Sequence, residues 1–237
     1  MKLLIKFPTR QRKDIFFKTL NKYYDYLDDL DNVKFVITCD SDDNTMNNKE
    51  VKELLDGYKN LKYYFGNSKT KIQAVNNDMN DLDFDILLLA SDDMIPQVKG
   101  YDTIIRNDML KQYPDKDGCL WYFDGYNKEV CTISIMGVEY YKRNNYIYHP
   151  MYKSFYCDSD YTFIAQKIGK ITYIENTIIK HLHPDNDTNE LHNGLDDLYK
   201  RNGHYTDGYD ENVFHKRMKI NNIKVIIKEI QNEKLFE

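Results

Sequence analysis

Four short apolar runs, "KLLIKF", "VKFVIT", "LKYYF" and "DILLLA", punctuate the first ninety residues, with helix-patterned stretches between them. That alternation is the rhythm of successive βα units, which bury their strands in a mostly parallel sheet covered by helices. Strands are expected at residues 2–7, 33–38, 61–65 and 85–90, and helices at 13–30, 48–58, 69–80 and 98–112. The continuous "ILLLA" reads as a strand buried on both faces. In sheets of this kind ligands gather outside the carboxyl ends of the strands. The residues that follow each strand are therefore where chemistry is sought.

Composition excludes several classes of function. With 41% hydrophobic residues over 237 positions the chain can bury a sizeable core. Its net charge of -5, from 33 basic and 38 acidic residues, gives no overall attraction to nucleic acid or anionic membrane. The start, "MKLLIKFPTR", has too short an apolar core for a signal peptide, and no stretch approaches the roughly 18 apolar residues of a membrane span. Cys39, Cys119, Cys131 and Cys157 form no C-x-x-C pair, so reduced, buried thiols in a soluble cytoplasmic protein are expected.

The strand ends carry polar clusters. After the first strand stands "FPTRQR", with no glycine, so neither the dinucleotide nor the P-loop fingerprint is present. Arg10 and Arg12 could meet phosphate or a polar sugar nucleotide there, or simply be solvated. After the second strand stands "TCDSDDNTM". As a calcium loop it lacks the glycine and the final glutamate, Thr45 and Val51 standing in their places. As an aspartyl-phosphate loop it follows the wrong strand. Asp40 can instead accept the imide N–H of a pyrimidine base.

"ASDDMIP" ends the fourth run on two carboxylates, Asp92 and Asp93. Adjacent carboxylates repel unless hydrated or bridged by a cation, and hard divalent ions prefer oxygen ligands. The alternative is a helix cap, where acidic groups are also favoured. "IIKHLHP" places His181 and His183 two residues apart on one strand, so both imidazoles can project to one face and address one ion.

Taken in order, "FPTRQR", "CDSDD", "GNSKTKIQAVNN", "ASDDMIP", "CDSDYTFIAQKIGK" and "HLHP" resemble the GT-A nucleotide-sugar glycosyltransferases, closest to the inverting family 2 group, over roughly residues 1–184. The resemblance implies an α/β, Rossmann-like, mixed but mostly parallel sheet flanked by helices; the tail from about residue 185 has no counterpart in it and reads as a C-terminal helical extension rich in Lys, Ile and Glu. It implies that Asp40 contacts the nucleotide base beside Pro8 and Thr9, that Lys71 lies near the nucleotide, and that Asp92 reaches the ribose or donor sugar. Asp93 would ligate a divalent metal, Mn2+ or Mg2+, with the histidines; Ser91 replaces the first aspartate of the D-x-D motif. Asp158 or Asp160 would be the catalytic base, Asp158 being preferred.

The expected reaction is metal-dependent, inverting transfer from a nucleotide sugar, most simply a UDP-sugar, to a hydroxyl of a glycan or other acceptor. The Tyr-rich segment from Tyr140 to Tyr161 offers either an acceptor platform or packing. One rival is a non-catalytic nucleotide-sugar or metal-binding module. Another is transfer to a modified DNA base, for which Lys142, Arg143, Lys200, Arg201, Lys216, Arg217 and Lys219 would supply phosphate contacts. Residues 1–96 read as the nucleotide-sugar half, 97–184 as the acceptor and catalytic half, and 185–237 as an extension for the acceptor or a second subunit.

Overall fold

The computed structural model describes residues 1–80, 82–182, 198, 200 and 208–233, with the side chains of the final helix described as far as Asn222. The first half runs β1 (Leu3–Thr9), α1 (Lys13–Asp25), β2 (Val33–Asp40), α2 (Lys49–Asp56), β3 (Leu61–Gly66), α3 (Lys71–Asn76), β4 (Ile86–Leu89), β5 (Met94–Pro96) and α4 (Tyr101–Gln112). The second runs β6 (Cys119–Tyr122), β7 (Ile135–Gly137), α5 (Val138–Lys142), α6 (Cys157–Lys167), β8 (Ile171–Ile174), β9 (Ile179–His181) and α7 (Tyr209–Glu233).

The main sheet has the order β3-β2-β1-β4-β7-β6-β8. Pairings among β1, β2, β3 and β4 are parallel, whereas β7 runs antiparallel to both β4 and β6. The chain winds outward from β1 through β2 to β3 and then returns to β1's other side as β4. That reversal opens a crevice at the carboxyl ends of β1 and β4. Side chains alternate across β1: Leu3, Ile5 and Phe7 join the apolar layer under α1 and α4, while Leu4 joins the layer under α3. Lys6 also points to the second side and is fully buried. Its ammonium donates to Thr38 Oγ1 and, at 2.7 Å, to the Asn77 carbonyl just past α3.

Three expectations change. The first helix ends at Asp25 rather than near residue 30, because the amides of Asp28 and Asp29 turn to the buried Asp102 carboxylate, at 2.9 and 3.1 Å, instead of continuing the helix. The third is shorter than expected: Thr70 caps it through the Gln73 amide, and Lys6 holds the carbonyl of Asn77 at its other end. Residues 170–182, expected from their β-branched and aromatic pattern as one strand, form two, β8 beside β6 and β9 beside β5. Among the described residues no helix is long and apolar enough to cross a membrane. All four cysteines are buried free thiols.

Candidate functional site

The carboxyl ends of β1, β2 and β4 open into a cavity of about 220 Å³, closed on its far side by the loop before α6. Pro8, Thr9, Arg10 and Arg12 reach it from β1, and Asp40 from β2. Asp92 and Asp93 follow β4, Lys71 opens α3, Asp158 lies in the first turn of α6, and His181 ends β9. The fold thus brings together most of the residues singled out from sequence. Asp160 is placed elsewhere. It is 4% exposed, lines a small separate pocket, and receives the two-pronged guanidinium of Arg217 at 2.8 and 3.0 Å. His183 lies outside the described residues.

At the β1–β2 end Arg10 donates to Asp40 at 2.8 Å and also pairs with Asp42. The Ser68 amide approaches the other Asp40 oxygen at 3.3 Å. A carboxylate has about four acceptor positions, so Asp40 retains capacity for a ligand N–H. Among the described residues Thr9 Oγ1 and Arg10 Nε are buried beside it with no hydrogen-bond partner. Buried polar atoms are seldom left so, and here both line a cavity.

The acidic pair behind β4 divides. Asp92 is buried, accepts from Arg12 at 2.8 Å, and offers its backbone carbonyl to Thr19. Asp93 accepts from the Ser91 hydroxyl and faces His181 Nε2 at 3.7 Å. The cause of that approach is the small β5–β9 ladder, which sets His181 opposite Met94 and bonds the Leu182 amide to the Asp93 carbonyl at 2.8 Å. Behind the imidazole, Nδ1 faces Asp124 Oδ2 at 3.9 Å. Asp124 is itself pinned by the amides of Tyr126 and Asn127 and by the Thr132 hydroxyl.

Electrostatics tie these groups. Burial alone would raise the Asp93 pKa, but the charge of His181, the Ser91 hydroxyl and the charge of Lys71 hold it well below the usual range. Burial alone would lower the His181 pKa, yet Asp93, with Asp124 behind, raises it. One carboxylate and one imidazole are donors that suit a first-row divalent ion. Among the described residues no group of three His, Cys, Asp or Glu is placed to hold one.

Some contributors escaped the sequence reading. Asp124 sits in "CLWYFDGYN", a run that reads from sequence only as part of a mixed sheet. Lys153 and Phe155 line the cavity from a stretch whose aromatic richness masked them. Most of those rings are core: Tyr140, Tyr148, Tyr152 and Tyr161 are buried, and Tyr156 is exposed. Of the basic residues considered for a phosphate-binding face, Lys142 pairs with Glu139, Arg143 with Asp117 and Arg217 with Asp160.

No protein-family profile and no curated protein sequence matches the chain. Solved structures do. The mannosyltransferase PcManGT from Pyrobaculum calidifontis, in complex with GDP-Man and Mn2+, superposes with a TM-score of 0.63 at 10% identity, over 76% of this chain and 56% of that one. TarS 1-349 from S. aureus gives 0.59 at 17% identity over 78% and 62%, and its UDP-GlcNAc complex gives 0.57 at 18% over 76% and 57%. The chain thus spans somewhat over half the length of each solved structure. At these identities the likeness is one of fold: a mixed, mostly parallel, Rossmann-like sheet of the GT-A glycosyltransferase type.

Proposed function

We propose that this chain is a nucleotide-sugar-dependent glycosyltransferase that works by inversion, with a UDP-sugar as donor and a glycan hydroxyl as acceptor. The observation that carries the reading is one cavity lined by Asp40, Lys71, Asp93, His181 and Asp158, at the reversal point of a fold shared with structures holding GDP-Man, UDP-GlcNAc or UDP. Residues 1–96 supply the donor half and 97–184 most of the acceptor half.

Each side chain then has a task. Asp40 accepts the imide N–H of the base, while Thr9 and Arg10 Nε gain partners from the nucleotide. Asp93 and His181 would hold a divalent ion together with phosphate oxygens of the donor, a mode in which one or two protein ligands suffice. Such an ion, when bound, supplies Lewis-acid stabilisation of the departing diphosphate. Asp124, 3.9 Å behind Nδ1, would orient the imidazole with Nε2 toward the Asp93 side, where an ion would be held, as carboxylates behind ligating histidines commonly do. Lys71 adds positive charge beside the diphosphate. Asp158 takes the proton of the acceptor hydroxyl as its oxygen bonds to the anomeric carbon, and the anomeric bond to the diphosphate oxygen breaks on the opposite face.

A screen of nucleotide sugars by nucleotide release, with and without Mn2+ and with simple sugars as acceptors, tests the reading. Release that needs both Mn2+ and Asp93 is the expected result. Nucleotide binding without turnover of any donor would leave a binding module in its place.

A further inference from the structure

The motifs of the donor site all precede residue 184, yet the final helix is hydrogen-bonded to the cavity wall through three backbone amides. Asp210, in the first turn of α7, is 1% exposed. One of its oxygens accepts the Lys153 amide and the other accepts the amides of Ser154 and Phe155, each at 2.8 Å. A carboxylate taking three backbone N–H groups is a strong, charge-assisted arrangement, and removing it strands three donors. Lys153, Ser154 and Phe155 all line the cavity that holds Asp158.

The geometry between that loop and Asp158 is tight. Tyr156 follows Phe155 in a left-handed backbone conformation, φ 61°, and precedes α6 without any side-chain cap of its own. Asp158 comes in the first turn that this unusual junction launches. Two further contacts come from α7. The Tyr209 ring lies under the Lys153 ammonium, 4.3 Å from Nζ to the ring centre, and Arg217 grips Asp160. Asp210 and Arg217 share one face of α7, since residues two turns apart line up along a helix. Asp158 is therefore bracketed: its helix is held by Arg217 just after it, and its launching loop by Asp210 just before it.

We propose that Asp210 is a positioning residue for glycosyl transfer, fixing the Lys153–Phe155 backbone and thereby the place at which α6 presents Asp158 to the acceptor hydroxyl. This rests on the reading of Asp158 as the base. It gives α7 a task in the reaction itself, as the outer support of the acceptor wall, rather than in donor binding.

The test uses the full chain and two variants, Asp210→Asn, which keeps shape but turns one accepting oxygen into a donor, and Asp210→Ala. Four quantities are measured: UDP affinity in Mn2+, kcat and KM on the donor that the wild type turns over fastest, and amide exchange at Lys153–Phe155. A displacement on the scale of 1 Å at a reacting group costs roughly 10² in rate, so kcat should fall by about that factor while UDP affinity stays within about threefold. The three amides should exchange faster in both variants. Unchanged kcat beside an active wild type overturns the proposal alone. Parallel losses of UDP affinity and kcat overturn it too, by showing general disruption of the cavity. A wild type that turns over no donor removes the glycosyltransferase reading and the proposal together. Should Asp210→Ala not fold, Asp210→Asn decides.

Discussion

Replacing Lys6 by methionine isolates a buried charge in the middle of the sheet. The Lys6 side chain is fully buried on β1, and burial lowers its pKa from 10.5 to about 8, against the opposing charge of Asp78. Such a drop corresponds to about 3 kcal/mol. The sign follows from proton counting. Below pH 8 both folded and unfolded chains carry the proton and the whole penalty is present. Between pH 8 and 10.5 the unfolded chain binds a proton that the folded chain does not, so stability rises with pH. Wild type should gain about 3 kcal/mol from this group between pH 7 and 10.5, roughly two thirds of it by pH 9.5. Lys6→Met keeps the unbranched stem and removes the charge, but takes the ammonium from the Asn77 carbonyl, at about 1–3 kcal/mol, and from Thr38 Oγ1, which still donates to Asp78. The two variants therefore lie close in stability at neutral pH and separate in favour of wild type as pH rises. Ionisation of the tyrosines in the unfolded chain is common to both and cancels. Urea unfolding followed by the single tryptophan, Trp121, at several pH values measures the difference. Parallel stability curves across this window would refute the argument, because they would mean that Lys6 titrates alike in both states.

Other consequences can be checked on the same protein. Asp158→Asn should bind UDP as wild type does and lose a factor of roughly 10² to 10⁴ in transfer, read by product formation at saturating donor. Asp160→Ala should instead lower stability, by up to about 3–5 kcal/mol in urea unfolding, because it leaves Arg217 half-buried and without its carboxylate. Normal stability with abolished transfer in that variant would move the base to Asp160. Asp124→Asn should weaken Mn2+ binding by about 10- to 100-fold, measured by titration with the metal alone, as expected for a carboxylate that orients a ligating imidazole.

What could be read in advance follows from range. The βα rhythm and the ends of β1, β2 and β4 are local properties, and they drew attention to Asp40, Asp92 and Asp93 before any contact was known, whereas Asp158 was named only through the family resemblance. The limits of elements depend on distant groups. Nothing near residue 28 announces that α1 stops for the carboxylate of Asp102. The two candidates in "CDSDY", two positions apart, look equivalent as text, and a partner 57 positions beyond Asp160, Arg217, is what sets Asp160 apart from Asp158. Asp210 was hidden for the same reason, as one acid in a polar stretch whose backbone partners lie 55 to 57 positions earlier. Lys6 read as an ordinary strand residue, since charge within an apolar run does not reveal which layer closes over it.

The pairing of β5 with β9 also dictates an order of events during synthesis. Asp93 and His181 meet only through that three-residue ladder, so the emerging chain can assemble β1 to β4, with Asp40 and Lys71 in place, long before its imidazole arrives. Domains mature from the N-terminus as they leave the ribosome, and contacts between distant segments close last. A nascent chain halted before β9 would thus carry Asp40, Lys71 and Asp93 without His181, and if Asp93 and His181 hold the ion as proposed, a released full-length chain should acquire Mn2+ affinity in its slowest folding phase.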